Sequence, residues 1–566
     1  MERRVVWAII LMMVIAIAPA ILVKKPARPA GRGTGAVGRD SVPTAPRPSA
    51  PRPGGTDAEP SGPPSAGAVL ADTVVVSSPL YRYGVSTRGG RFVSATLPRY
   101  QTMERGKTGP VQLLPEDSQL LGLTLVNGRD SVDLGHWNFR PSTTALSVQG
   151  RPATLRLDGE EGAYGAELEY TFVPDEYRVD VRGRVRGVGP NGGLLLVGMG
   201  PRLAQTEADS VENLRDLALV TSQGGTQRTS FTDLEAGKPK TMSGPFEWAA
   251  IKSKYFVTAV LGFDSAGGRI AGVTATPPTN AGEKPTRADV RLSIPVGPDG
   301  AFSYSLYAGP MEYERLRRIG HDFDDVNPYG WPGFRTLIRF FAIPTRWLLV
   351  WMHDSLGLAY GVVLVVFGIL VRLILWPLNQ KAMRASMQMQ AVQPLMKELQ
   401  DRHKDDPQRL QQEMFKLYKE HNVNPFGGCW PMLLPMPVLF ALFFVLQNSI
   451  ELRGTSFLWL PDLSRPDPIY IIPLVMGVSM FALTKVGQLG MEPNPQMKMM
   501  LYLMPAMMTV LFVNFPSGLN LYYAVSNIAS VPQQWLLARE RIRRTQTAPP
   551  PAPPPPAQPK RKKQQS

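Results

Sequence analysis

Residues 358–384 read LAYGVVLVVFGILVRLILWPLNQKAMR, an apolar run that sets Arg372 deep inside a segment of membrane-spanning length. About 20 such residues cross a bilayer as a helix. A guanidinium at that depth costs roughly 2.5–3.5 kcal/mol on insertion scales and more in simulations, so such arginines are rare and face a polar cavity. No Asp or Glu lies between Leu356 and Leu395 to neutralise it. The ordinary alternative is a side chain that snorkels or packs between helices.

Outward from this stretch the 566 residues separate into two materials. Long apolar segments occupy the carboxyl-terminal half, whereas the part before about residue 330 reads as a tethered soluble domain. Much of the net charge of +15 sits in a proline-rich linker and the carboxyl-terminal tail, which points to anionic lipid or RNA as partners. The single cysteine, Cys429, excludes an intrachain disulfide, and the five histidines have no metal-ligand spacing. No cofactor or metal is expected.

Read in order, the chain divides into an anchor at 1–23, a linker at 24–69, a β-sandwich at 70–320, an interfacial region at 321–355, a five-helix core at 356–538 and a basic tail at 539–566. Val5 to Val23 is apolar behind Arg3 and Arg4, and a cleaved signal peptide is the alternative to an uncleaved anchor. The linker has almost no large apolar residue and cannot fold. Alternating runs such as TLRLDG, AELEYTFV, YRVDVRGRVRG, YFVTAVLGF and FSYSLYAG then define the sandwich. Gly106-Lys107-Thr108 imitates the end of a phosphate-binding loop, but Gln101 stands where that loop needs glycine. Asp324 and Asp325 read as loop carboxylates, because no nucleophile motif accompanies them.

Between sandwich and core, Arg335, Arg339 and Arg346 fall near one helical face and Phe334, Leu337, Ile338 and Phe341 on the other, with Trp331 and Trp347 at the ends. This predicts a helix lying in the membrane interface, bent before Pro344; packing against the sandwich is the alternative. Residues 379–424 predict a polar helical hairpin, with Asp406 and Pro407 opening its second helix. Met383, Met387, Met389 and Met396 offer it a deformable surface for receiving a substrate, or simply hold the hairpin together.

Further apolar segments at about Cys429–Ile450, Ile469–Gly487, Met499–Phe515 and Gly518–Leu537 bring the expected spans to six. The hairpin's many lysines and arginines place it in the cytoplasm, so both termini are inside and the sandwich outside. Asn520, Tyr523, Asn527, Ser530 and Gln534 recur at spacings of three and four, which puts them on one face of the last span and predicts a hydrated stripe. Gln447 ends the third span on the outer side, and Lys485 and Gln488 end the fourth on the inner side.

The phrases VRLILWPLNQKAM, LQQEMFKLYKEHNVNPFGGCWPMLLPMPVLFAL, NSIELR, DPIYIIPLVMGVSMF and FPSGLNLYYAVSN closely resemble the YidC type of membrane-protein insertase, in the Gram-negative form with a large periplasmic domain. The resemblance implies a polytopic α-helical protein of the bacterial inner membrane, with six transmembrane helices and a periplasmic all-β sandwich. It implies a groove in the five-helix core, open to cytoplasm and lipid and closed outwards, that contains Arg372, with Tyr523 at the family's aromatic position. Its partners would be nascent membrane proteins, the Sec translocon, the ribosome through the basic tail, and anionic lipids; a monomer would suffice. Relatives often carry a hydroxyl residue one turn before the arginine, where this chain has Gly368. A channel or secondary transporter would use the same polar features, but the internal repeats common in transporters are absent. A membrane-anchored glycan-binding or glycan-processing sandwich would need only one span.

Overall fold

The computed structural model describes residues 73–547, apart from 129, 263–268, 283, 331–333, 404–405, 422–435 and 492–494. The side chains of 382–391, 393–394, 397, 495–496 and 544–547 are also outside it. The chain separates into Met1–Ala68 and Val69–Ser566, and all described residues fall in the second unit. The expected anchor, the linker, Trp331, Cys429 and the tail beyond 547 lie outside the described residues.

The alternating runs become neighbours in one sheet. Phe256–Leu261, Ala301–Pro310, Arg178–Arg186, Tyr164–Phe172 and Ala153–Glu161 are consecutive antiparallel strands of a nine-stranded sheet. In Tyr164–Phe172, Leu168, Tyr170 and Phe172 turn inward while Glu167 faces out, as a period of two requires. A six-stranded and a five-stranded sheet complete the β domain, and one apolar core runs through all three, including Tyr83, Tyr170 and Leu195.

Among the described residues the helices are α1 (Ser210–Asp216), α2 (Tyr313–Ile319), α3 (Arg335–Leu356), α4 (Tyr360–Ala391), α5 (Gln393–Arg402), α6 (Pro407–Glu420), α7 (Met436–Asn448), α8 (Ile471–Gly487), α9 (Pro495–Phe512) and α10 (Ser517–Thr547). Asp406 caps α6 by accepting from Arg409 N at 3.0 Å, with Pro407 at its first position. Among the described residues, Tyr360–Lys381 is the one stretch both long and apolar enough to cross a membrane, at a mean hydropathy of 2.4. Helices α7, α8 and the described part of α9 are apolar but shorter. Against the described residues, large side chains on the bundle surface are more than half exposed, among them Leu373, Ile374, Leu474, Val478, Leu503 and Val510. Apolar exposure on this scale marks a surface that meets lipid or another protein.

Helix α3 inverts the expected amphipathic arrangement and stays helical on both sides of Pro344. Its arginines turn toward protein: Arg339 Nη2 donates to Asp324 at 2.8 Å, Arg335 Nη1 to Asp325 at 3.1 Å, and buried Arg346 pairs with Glu451 and Glu314. Asp324 is therefore a buried partner and not a solvated loop carboxylate. Ile338 is buried and Phe341 half-buried, while Phe340 and Trp347 stay 71% and 60% exposed. Carboxylates beside the first turns and the middle of α3 explain the inversion, because three guanidinium groups find counter-ions within the fold.

The loop at 449–470, between α7 and α8, joins the two halves. Ile450 enters the core of the β domain, while Tyr313 and Tyr329 enter the core of the bundle. Arg453, its side chain 2% exposed, donates to Glu207 at 2.9 and 3.1 Å and to the carbonyls of Gln101 and Thr206. The Phe457 ring occupies the space that any side chain at Gly361, near the start of α4, would need.

Next to this junction, Lys252 is buried in the strand Trp248–Lys252 and donates to Asn327 Oδ1 at 2.8 Å. Burial, followed by the nearby charge of Arg228, pushes its ammonium from 10.5 down to about 7, with Asp216 opposing. The unfolded chain binds this proton more readily than the folded one between those two values, so the group destabilises the fold increasingly as pH falls from 10.5 to about 7. Lys252→Met should therefore gain stability over the parent as pH drops from 9.5 to 7, with a constant gap below. Thermal unfolding of the whole chain against pH checks this, and a gap independent of pH would contradict it.

Candidate functional site: a polar seam between α4 and α10

Helix α4 is held to α10 by side chains that hydrocarbon would otherwise reject. Arg372 Nε donates to Ser526 Oγ at 2.9 Å, and Asn379 Nδ2 donates to Gln533 Oε1 at 3.0 Å. Both pairs are separated by 154 positions, so the two helices run parallel. Gln533 Nε2 also donates to the carbonyl of Trp376 at 3.0 Å. One turn before the arginine, a Cβ on Gly368 would sit 3.2 Å from Val525 Cγ1 and 3.5 Å from the Tyr522 carbonyl. A hydroxyl residue there would crowd α10, and Ser526 supplies the hydroxyl from the opposite helix.

Among the described residues no carboxylate lies within ion-pair distance of Arg372. Its Nε–H has a neutral acceptor, whereas Arg335, Arg339, Arg346 and Arg453 all meet carboxylates near the β domain. The charge in the seam is thus hydrogen-bonded but not neutralised. Guanidinium stays protonated at any physiological pH, which suits it to attract an anion and disqualifies it as a proton acceptor.

The expected stripe on α10 does not open onto one hydrated face. Asn520, Asn527 and Ser530 are buried: Asn520 donates to the Phe512 carbonyl at 3.0 Å, Asn527 to Ser479 on α8 at 3.2 Å, and Ser530 back to the Ser526 carbonyl at 2.7 Å. Tyr523 is half-buried beside Phe512 and Tyr522, at centroid distances of 5.5 and 6.4 Å. Gln534 comes close to Gly487 at the end of α8. Lys485 lies over the Phe481 ring of its own helix, and Gln488 donates to the Met497 carbonyl at 3.1 Å. Gln447 sits at the opposite end of the bundle, next to Asn448, which reaches Pro328. These residues spread along the bundle and form no single cluster with Arg372.

The sequence reading missed Ser526, Gln533 and Asn379. Their signal was available: Ser526 and Gln533 lie seven residues apart, as do Arg372 and Asn379, so each pair shares a helix face. In the hairpin, Met396 packs between α5 and α6, with its sulfur 3.7 Å from the Tyr418 hydroxyl. The side chains of Met383, Met387 and Met389 lie outside the described residues.

Fold and site together define a membrane protein in which a large β domain is locked to an apolar helical bundle carrying an arginine with no carboxylate partner among the described residues. Family models described as "60Kd inner membrane protein" and "YidC periplasmic domain" match residues 351–545 and 73–347. The chain is 31% identical over 492 residues to a membrane protein insertase YidC of Chlorobaculum tepidum, covering 82% of this chain and 81% of that one. It is 32% identical over 485 residues to that of Nitratidesulfovibrio vulgaris, covering 82% and 86%. A solved YidC insertase with its first transmembrane domain resolved is similar at a TM-score of 0.34 and 17% identity, over 83% of this chain and 93% of that one. A galactose mutarotase-like protein of Lactobacillus casei matches 42% of this chain and 99% of its own, at a TM-score of 0.29 and 9% identity. The chain belongs to the YidC family of inner-membrane proteins, in its form with a large periplasmic domain.

If Ser526 holds the guanidinium through its hydroxyl, Ser526→Ala should destabilise the bundle by about 0.6–3 kcal/mol, the range for interhelical and charged hydrogen bonds. Ser526→Thr keeps the oxygen and should stay near the parent. Unfolding in detergent measures both, and equal losses would assign the effect to packing.

Proposed function

We propose that this chain inserts nascent membrane proteins into the inner membrane, and that the polar segment of a substrate passes along the seam of α4 and α10 past Arg372. The observation that carries the reading is a guanidinium set in the apolar helix α4 and bonded through Nε to a neutral hydroxyl, without a carboxylate partner among the described residues. A segment that leaves water needs replacement partners for its polar groups, since hydrocarbon offers none. Arg372, Ser526, Tyr523 and the amides further along the seam are placed to supply them. The names of the relatives, each a membrane protein insertase, support the same reading.

In this reading the groove opens to cytoplasm and lipid. The loop at 449–470, with Phe457 against Gly361, closes it outwards. Both termini and the hairpin are cytoplasmic, the β domain is periplasmic, and α3 lies in the outer interface with Phe340, Trp347 and Trp351 toward lipid. Lys485, Gln488 and Gln534 stand at the cytoplasmic end and Gln447 at the outer end, with Asn520, Asn527 and Ser530 stiffening α10 behind the path. The hairpin, through Met383, Met387, Met389 and Met396, receives substrates. The basic tail meets ribosomal RNA or anionic lipid, and the monomer works alone or beside the Sec translocon.

The fixed charge attracts acidic residues of a substrate inward from the cytoplasm. The membrane potential then draws them outward at about 2.3 kcal/mol per charge per 100 mV. In proteoliposomes without an ATPase, Arg372→Lys should keep most insertion, whereas Arg372→Ala should slow it most for substrates with acidic outer segments. Substrates that differ only in those acidic residues isolate the effect. Normal insertion of all of them by Arg372→Ala would reject the charge mechanism, and ion flux without insertion would favour a channel.

A further inference from the structure

Two prolines interrupt the seam at one level. Pro377 lies inside α4 and Pro532 inside α10. The offset of 154 shared by both hydrogen-bonded pairs sets Pro532 opposite Leu378, next to Pro377. Each ring removes a backbone N–H, which leaves the carbonyls of Leu373 and Ile528 without their helical donors. Helices bend most readily at such points. Beyond this level α4 runs on to Ala391 and leads into α5 and α6, so a bend at Pro377 displaces the whole hairpin.

The side chain of Gln533 grips α4 on both sides of that proline. Its Nε2 donates to Trp376 O, just before Pro377, and its Oε1 accepts from Asn379 Nδ2, just after it, each at 3.0 Å. Gln533 is 3% exposed and Asn379 is 9% exposed, so neither amide can exchange this partner for bulk water while the seam is closed. Opening the seam breaks both hydrogen bonds at once, so the closed pairing is favoured until replacement partners arrive.

We infer that Gln533 and Asn379 form a latch across a paired-proline hinge, and that an entering substrate releases it. The inference rests on the insertase reading for its substrate, a polar peptide segment. Peptide N–H and C=O groups are chemically equivalent to the two carboxamides, so such a segment replaces each lost hydrogen bond with one of the same kind. An apolar segment cannot. Release frees α4 beyond Pro377, and the cytoplasmic mouth of the seam opens as the hairpin moves away from α10. Asn379 and Gln533 are in this sense positioning residues, which act through the angle of α4.

Two measurements on the full chain, with Cys429→Ser, test the latch. In the first, Asn379→Cys and Gln533→Cys are bridged by a short bis-methanethiosulfonate reagent in proteoliposomes. The bridged protein should insert about ten-fold more slowly or worse, as for a gated enzyme held shut, and recover on reduction. Insertion at the unbridged rate would overturn the proposal. In the second, nitroxide labels at Glu420 and Arg539 report the hairpin against α10, without any substrate. Gln533→Leu should lengthen and broaden the distances, whereas the swap Asn379→Gln with Gln533→Asn should keep them near the parent. Unchanged distances in Gln533→Leu would also overturn it. If the distances respond while the Cys429→Ser parent, with Asn379 and Gln533 intact, inserts nothing, the hinge stands and the insertase reading falls.

Discussion

The hydrogen bond from Arg372 Nε to Ser526 Oγ ties a charged side chain to a neutral partner inside an apolar bundle. A carboxylate in place of Ser526 would hold the guanidinium more strongly and would cancel the charge that makes it useful. The neutral hydroxyl fixes the side chain, and no carboxylate among the described residues compensates the charge. That choice requires α4 and α10 to approach closely. Gly368 permits it one turn earlier, and the amides of Asn379 and Gln533 maintain it two turns later. Parallel packing follows, since only parallel helices keep one offset through successive contacts.

The opposite electrostatic strategy governs the junction with the β domain. There the arginines are paired: Arg453 with Glu207, Arg346 with Glu451 and Glu314, Arg339 and Arg335 with Asp324 and Asp325. Breaking a pair as buried as Arg453 with Glu207 costs about 3–5 kcal/mol, because one charge is left without a partner, and the more exposed pairs contribute less. Together with Ile450 in one core and Tyr313 and Tyr329 in the other, these pairs make the loop at 449–470 a firm outer abutment. The bundle is thus rigid where it meets the β domain and weakened by two prolines near its other end.

How much of this was legible depended on periodicity. AELEYTFV and YRVDVRGRVRG alternate because one face is buried and the other is wet, and they are adjacent strands of the nine-stranded sheet, whereas YFVTAVLGF and FSYSLYAG beside them are buried on both faces. Trp248–Lys252 and Ala218–Ser222 are buried on both faces, carry no alternation, and did not stand out. Arg372 stood out because charge is rare in an apolar run, but its partner did not, since a serine in a helix has many ordinary uses. The stripe from Asn520 to Gln534 follows a true helical spacing. Periodicity says which residues share a face and not which neighbour covers it, so buried Asn527 looked the same as a hydrated one. Helix α3 misled for a related reason: its arginines suggested a polar outer face, and the carboxylates that draw them inward come from Glu314, Asp324, Asp325 and Glu451, which sequence spacing does not connect to it.

The central claim is that a substrate's polar segment travels along the seam between α4 and α10. Its most direct test is photocrosslinking of a stalled nascent membrane protein from single positions on the full chain. Tyr523, Ser526 and Gln533 sample the seam, whereas Leu503 and Val510 on α9 sample the exposed apolar surface. Adducts to the substrate's polar flank from the first three positions, and few or none from α9, are the predicted result. Adducts of equal yield from both sets, or from α9 alone, would contradict it.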